Sequence, residues 1–374
     1  MTKIYLSSPD IGPREFEFVA DAMRSNWIAP TGPDLEAFED ELCATTTTEH
    51  AIGLSSATAA LHLALVHLGV GPGDVVMVST FTFAASVFAI SYTGATPLLI
   101  DSDSSTWQIS PDLVEEELRI RSRRGTLPKA AIIVDLYGQC ADYGRLVPLL
   151  EQYEIPIIED AAEALGATYS GQSAGSFGRC GVISFNGNKI ITTGGGGALV
   201  TNDSSLGSHI RHLANQAKES TIHYEHNEVG FNYRLSNILA ALGRAQLLTL
   251  ETKIKRRQNI NALYRDAFKD VSSISFMPIA GYGTPNWWMS CIEIDHSERR
   301  VTRDIVRIAL GEHDIESRPL WNPMHHQPIF RDAPARIDGT SSQLFANGLC
   351  LPSGSGLTDS EIDYVCDVVL TCFE

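Results

Sequence analysis

Lys189 lies five residues after Ser184, in the run Ser184-Phe185-Asn186-Gly187-Asn188-Lys189, and glycines Gly194 to Gly197 follow it. A lysine that leaves a short apolar strand for a glycine-rich loop can sit beside a bound aldehyde. Its amine can then form a Schiff base with that aldehyde. A surface lysine next to a flexible turn fits the same residues, because one lysine near glycines is a weak motif.

Three further features align with it. Ser55-Ser56-Ala57-Thr58 joins the end of an apolar run to the start of a helical one. Free backbone amides and the Thr58 hydroxyl at a helix N-terminus suit a phosphate dianion, and the same residues would also make an ordinary N-cap. Ile157-Ile158-Glu159-Asp160 carries an apolar strand to two carboxylates at its C-terminal end, where parallel sheets place their ligands. Asp160 could pair with a protonated pyridine nitrogen, or simply cap a helix. Phe83 follows a further strand and could stack on a planar ring, although aromatics in such places are more often core. An amine for an aldehyde, a carboxylate for a pyridinium, donors for a phosphate and a ring to stack together describe a site for pyridoxal 5'-phosphate.

The elements that must position these residues are visible as alternating patterns. Ala51–Leu54, Val75–Ser79, Thr96–Ile100, Ala131–Leu136 and Ile155–Glu159 read as strands, with helical patterns between them. That alternation predicts a parallel sheet covered by helices. A helix carrying Leu61, Leu65 and Leu68 is stopped by Gly69 and Gly71, and Ser110-Pro111 is a helix start. Val182–Phe185 and Ala198–Thr201 flank the lysine loop and are expected to close one side of the sheet. Beyond residue 202 the pattern is helical, with Leu235–Leu250 and Ile254–Phe268 as long helices. The chain closes with a strand at Cys291–Ile294 and helices at Arg303–Leu310 and Asp359–Leu370. The organisation expected is a large domain over residues 1–250, including the N-terminal segment, and a smaller C-terminal domain over 251–374.

Composition narrows the function classes. The 374 residues carry a formal charge of −17, which disfavours nucleic acid as a partner because that binding needs basic surface. An anionic substrate must then be held by local donors and helix ends. No apolar run reaches the roughly 18 residues that span a bilayer, and the first residues lack the apolar stretch of a secretory signal. Seven dispersed cysteines without a CxxC pair suggest reduced thiols in the cytoplasm, and neither a disulfide framework nor a zinc site. His223-Tyr224-Glu225-His226 has the residue types of a metal site but irregular spacing, and reads better as a substrate lid or plain surface.

The order of phosphate turn, aromatic, Asp160, Ser184 and Lys189, each at a strand end, resembles the DegT/DnrJ/EryC1/StrS family of nucleotide-sugar aminotransferases. The resemblance covers almost the whole chain. It runs through Asn26-Trp27-Ile28-Ala29-Pro30-Thr31-Gly32-Pro33, Ser56 to Leu65, Glu159 to Ala167, Ser184 to Lys189, Gly230 to Leu235, and Pro323-Met324-His325-His326-Gln327-Pro328. It implies the aspartate aminotransferase fold (fold type I): a large, mixed but mostly parallel sheet sandwiched by helices, with a smaller C-terminal α/β domain. It also implies residue roles. Lys189 bears the cofactor and then shuttles the proton, and Asp160 keeps the pyridine nitrogen protonated. Glu163 lies near the ring oxygen and the sugar, and Phe83 stacks on the ring. Ala57, Thr58 and Ser184 bind the phosphate. Asn232 reaches it from a second subunit of a homodimer. Asn186, Arg234 and His325 are expected near the sugar nucleotide. The amino donor implied is L-glutamate, with pyridoxamine 5'-phosphate carrying the amine between half-reactions.

The chain departs from the family pattern at Ala57, where relatives commonly have glycine, at Gly195, where glutamate is common, and at Asp135, where many have histidine. The run from Ser184 to Thr193 most resembles the branch acting on UDP-linked 4-keto-6-deoxy-N-acetylhexosamines, of the bacillosamine and legionaminic acid type. GDP-perosamine synthases share much of it and form the alternative. Lysine at 189 disfavours the C3 dehydratases, which carry histidine there. A non-catalytic regulator on the same fold would be expected to have a damaged site.

Overall fold

The computed structural model describes residues 3–295 and 301–374. Eight strands form its main sheet: β1 (His50–Leu54), β2 (Val75–Ser79), β3 (Thr96–Ile100), β4 (Ala130–Val134), β5 (Ile157–Asp160), β6 (Cys180–Ser184), β7 (Gly197–Thr201) and β8 (Ala335–Arg336). Their spatial order is β1-β7-β6-β5-β4-β2-β3-β8. Strands β6, β5, β4, β2, β3 and β8 run parallel, while β7 lies antiparallel to both β6 and β1. The sheet is thus mixed and mostly parallel, as expected. One detail differs: β7 does not close the sheet, because β1 pairs along its outer side and forms the edge.

Side-chain alternation explains why the sheet is covered on both faces. Met77, Leu98, Ile133, Ile157 and Ile183 enter one buried cluster, and their neighbours Val78, Leu99, Ile132, Ile158 and Val182 enter another. Period-two alternation with both sets apolar leaves no face for water, so each is packed by helices. Each fully buried Val, Leu or Ile contributes roughly 1.5–3 kcal/mol by leaving water.

The helices that follow the strands start at their expected signals. Ser56 caps Ala57–His67 by accepting from the Ala59 amide at 3.0 Å, and Ser110 caps Pro111–Arg124 by accepting from Leu113. Helices Pro13–Arg24 and Pro33–Thr46, each with proline at its start, pack against Asn237–Leu247 and cover the β1 end of the sheet. Their sequences were not read as helical, though the N-terminal prolines are a usable signal.

Strand β4 ends at Val134, two residues before the expected Leu136, because the chain turns through Leu136–Gly138 with Tyr137 at φ 54° and Gly138 at φ 91°. A separate four-stranded antiparallel sheet (Ile274–Phe276, Ser290–Ile294, Gly348–Leu351 and Arg318–Pro319) lies in the C-terminal part. Its apolar cluster contains Ile260, Tyr264, Ile292 and Val365, and also Ile4 from the N-terminus, which bridges to Ile315. The C-terminal part in turn supplies β8 to the main sheet.

Close approach of Asn237–Leu247 to the helix bearing Phe38 depends on Gly243, where a Cβ would lie 2.7 Å from Phe38 ring atoms and 2.9 Å from Thr193. Gly243→Ala is therefore expected to destabilise the fold by about 1–3 kcal/mol, despite alanine's better helix propensity. Urea unfolding checks this, and an unchanged or raised midpoint would contradict it.

Candidate active site

The residues singled out in the sequence converge where β1, β5 and β6 end. A cavity of about 310 Å³ opens there, lined among others by Ala57, Thr58, Phe83, Asp160, Glu163 and Lys189. Ser184 and Asn186 also line it.

Lys189 sits in a loop fixed at both ends. Phe185 N donates to Gly196 O at 2.9 Å, Thr193 N to Phe185 O at 3.0 Å, and Lys189 N to Asn186 O at 3.0 Å. Its side chain is 11% exposed, and Nζ lies 3.5 Å from Glu163 Oε1. The Glu163 carboxylate is held from the other side, since Oε2 accepts from the Tyr137 amide at 2.7 Å. Burial pushes the Glu163 carboxyl up from its ordinary range, opposed by the charge of Lys189 and the Tyr137 bond.

Asp160 closes β5 with Val134 and Val182 as lateral partners, near the middle of the sheet. Oδ2 accepts from Ser86 Oγ at 2.7 Å, and Oδ1 from the Ala162 amide at 3.3 Å. Ser86 is oriented by Thr82 at 2.8 Å. Burial raises the Asp160 pKa, against the Ser86 bond, the Ala162 amide and the Lys189 charge. A protonated ring nitrogen would oppose that burial effect and favour the carboxylate.

At the opposite wall the helix Ala57–His67 begins. Its first amides have no intrahelical acceptors, and Ser56 takes only that of Ala59, so those of Ala57 and Thr58 remain for an anion. Ala57 opens this helix and is absent from the left-handed residues, so it does not need the family's glycine. Glycine is required across from it: a Cβ on Gly197 would lie 2.3 Å from Ala57 N. Phe83 stands at the mouth, 52% exposed, with its ring 5.2 Å from that of Trp321. Amine, buried carboxylate, free amides and exposed ring fit pyridoxal phosphate as a set.

Three expected residues are not brought to the cavity within this chain. Arg234 ion-pairs with Glu39 at 2.8 Å and bridges to β1 at Leu54, so its guanidinium is held behind the sheet edge. Glu39 is a buried acceptor there, taking also the Gly53 amide and Arg211, and it claims the nearest cation. His325 uses both ring nitrogens, with Thr80 Oγ1 at 2.8 Å and Ser342 Oγ at 3.1 Å. Asn232 is exposed and bridges to Asn215. Conversely, Ser86, Trp288 and Trp321 line the cavity although nothing in the sequence singled them out. The adjacent pair Trp287-Trp288 was an available signal.

Asp135 lies directly behind the site. One of its oxygens accepts from the Ala141 amide and the Tyr143 hydroxyl, at 2.9 and 2.8 Å. The other is buried without a hydrogen-bond partner, and Glu159 acts on this carboxyl as a like charge. Burial and Glu159 push Asp135 well up, and burial lifts Glu159 to about 7. Glu159 also accepts from the amides of Gly175 and Phe177. Among the described residues no group of three or more His, Cys, Asp or Glu could hold a metal ion, and no helix is long and apolar enough to cross a membrane.

A lysine in the loop after a strand, lining one cavity with a buried Asp and a helix N-terminus in a doubly covered sheet, fits an aminotransferase of fold type I that depends on pyridoxal phosphate. Residues 9–370 match the model of the DegT/DnrJ/EryC1/StrS aminotransferase family, and the chain belongs to that family. It is similar to the pyridoxal phosphate-dependent aminotransferase EpsN of Bacillus subtilis, with 45% identity covering 99% of this chain and 96% of the relative. It is similar also to GDP-perosamine synthase of Caulobacter vibrioides, with 36% identity covering 98% of this chain and 97% of that one. Among solved structures, a DegT DnrJ EryC1 StrS aminotransferase from Brucella abortus superposes with a TM-score of 0.89 at 29% identity, covering 96% of this chain and 95% of the other. The chain is a pyridoxal phosphate-dependent sugar aminotransferase. The expected family, fold and cofactor therefore hold.

The Asp135–Glu159 pair gives a pH signature. Unfolded, both carboxyls titrate near pH 4; folded, they keep protons to higher pH, Glu159 to about 7. The folded state then binds more protons than the unfolded one, so stability falls as pH rises from about 4 to about 7. Asp135→Asn presents Glu159 with a donor that does not titrate, and should flatten this slope. The raised carboxyls Asp160 and Glu163 leave a residual slope of the same sign. Urea midpoints between pH 4.5 and 8 measure it, and an identical slope in the variant would contradict the assignment of the slope to these two buried carboxyls.

Proposed function

We propose that the enzyme moves an amino group from L-glutamate to C4 of a nucleotide-linked 4-keto-6-deoxy sugar. The observation that carries this reading is the Lys189 amine, held against Glu163 beside Asp160 at the cavity floor. When bound, pyridoxal phosphate supplies an aldehyde that takes up the donor's nitrogen and a ring that accepts the electrons released at the donor carbon. Lys189 would hold the cofactor, and its Nζ would carry the proton away from the donor carbon and later to the sugar carbon. Asp160, fixed by Ser86, holds the ring nitrogen protonated. Ala57 and Thr58 amides and the Ser184 hydroxyl bind the phosphate. Phe83 and Trp321 flank the opening on the side where a sugar would enter. Glu163 would lie near the ring oxygen of the cofactor and the sugar.

The working unit proposed is a homodimer, with Asn232 of one copy reaching the phosphate site of the other. Its exposure in the single chain supports that role. His325 and Arg234 would act on the nucleotide sugar only through rearrangement of their present bonds. Seven free thiols fit a cytoplasmic enzyme. The Ser184–Thr193 loop favours a UDP-linked N-acetylhexosamine. A GDP-linked sugar is the second reading, favoured by the similarity to GDP-perosamine synthase.

An amination assay with L-glutamate against both 4-keto sugars tests the choice. Turnover of the UDP sugar is expected, and turnover of the GDP sugar alone would replace it with the second reading. Lys189→Ala is expected to abolish turnover with either substrate, and a fully active variant would refute the assignment of the amine.

A further inference from the structure

The peptide bond preceding Lys189 is held by residues far away in sequence. Asn188 O accepts from the Trp288 indole Nε1 at 2.8 Å and from Ser7 Oγ at 2.9 Å. Both donors are themselves held by Arg257, whose Nη1 donates to Trp288 O at 2.6 Å and Nη2 to Ser7 Oγ at 3.0 Å. Arg257 and Trp288 are each 1% exposed. A buried guanidinium costs several kcal/mol unless its donors are used, and this one spends two on a carbonyl and a hydroxyl while Nε finds no acceptor. Burial lowers its pKa to about 10, with Asp10 opposing. The Trp288 ring then covers the amine itself: Lys189 Nζ lies 4.0 Å from its centre. Tyr137 stacks between Trp288 and Trp321, with ring centres 6.3 and 6.0 Å away, so the indole has little room to tilt.

We propose that Trp288, braced by Arg257 and Ser7, is a positioning residue for Lys189, fixing both the peptide that carries the amine and the direction in which the amine points. Two donors converging on one carbonyl immobilise the Asn188–Lys189 peptide, and the indole face attracts the ammonium toward the cavity floor. The N-terminal segment and the helix Leu250–Ala267 thereby act on the chemistry without touching a substrate. The inference rests on Lys189 being the amine that bears the cofactor.

The experiment is a single-turnover measurement on holoenzyme. L-Glutamate is added and the change in the visible cofactor band is followed as a function of glutamate concentration. For Trp288→Leu the rate constant at saturating glutamate is expected to fall on the order of tenfold, the combined effect of losing a hydrogen bond and a cation–π contact. The half-saturating glutamate concentration should change by less than about threefold, because the loss falls on the position of the lysine and not on the binding of glutamate. Trp288→Phe, which keeps a ring but no donor, and Ser7→Ala, which removes the second donor, should each fall in between. A rate constant per active site does not change when part of a sample is misfolded, so a merely structural role for Trp288 predicts wild-type rates. Wild-type rates in Trp288→Leu and Ser7→Ala overturn the proposal. Should Trp288→Leu not fold, a wild-type rate in Ser7→Ala and Trp288→Phe overturns it equally. Lys189→Ala serves as the separate control: a wild-type glutamate-dependent change in that variant would sink the assignment of the amine, whatever the Trp288 variants do.

Discussion

One amine, almost out of water, faces two carboxyls that burial would rather keep neutral. That arrangement sets what the surrounding structure must supply. Lys189 favours the ionised form of Asp160 and Glu163, and each carboxyl needs further donors to offset its own burial. Ser86 and the Ala162 amide serve Asp160, and the Tyr137 amide serves Glu163. The last bond requires the left-handed turn after β4, which is why that strand stops where it does. Asn286 ties the same corner from outside, donating to the carbonyls of Glu163 and Leu165 at 2.8 and 3.0 Å. The surroundings of Lys189 thus depend on a chain of ordinary hydrogen bonds that reaches into the C-terminal part of the molecule.

What was legible in the sequence is what depends on local pattern. The strands of the main sheet carry unbroken apolar runs because both faces are covered, and such runs end at the residues that face the cavity. Asp160 was visible for that reason, as were Ser184 and the phosphate turn, and Lys189 was visible from the glycine run after it. Trp288 and Trp321 arrive from a separate antiparallel sheet and its connections, through contacts between residues far apart in sequence, which no periodicity records. Ser86 sits inside a helix whose start offers only Phe83 as its cap residue, with no side-chain cap bond to mark it. Arg234 and His325 differ in kind. Both lie within family motifs, yet Glu39 and Thr80 take their polar atoms inside the single chain.

The departures from the family pattern have local explanations. Alanine at 57 is accommodated because the backbone there is helical, and the steric demand for glycine falls on Gly197 instead. Asp135 in place of histidine leaves a second buried carboxyl near Glu159, and burial pushes the pKa of both upward. Gly195 lines the cavity with nothing within 4 Å of its notional Cβ, so the missing glutamate leaves open space on that side.

The most direct measurement of the central claim is borohydride reduction of the holoenzyme followed by peptide mapping by mass spectrometry. The expected result is a single pyridoxyl adduct on the peptide containing Lys189. An adduct on a different lysine, or none from a protein that has taken up the cofactor, would contradict the covalent role of that residue.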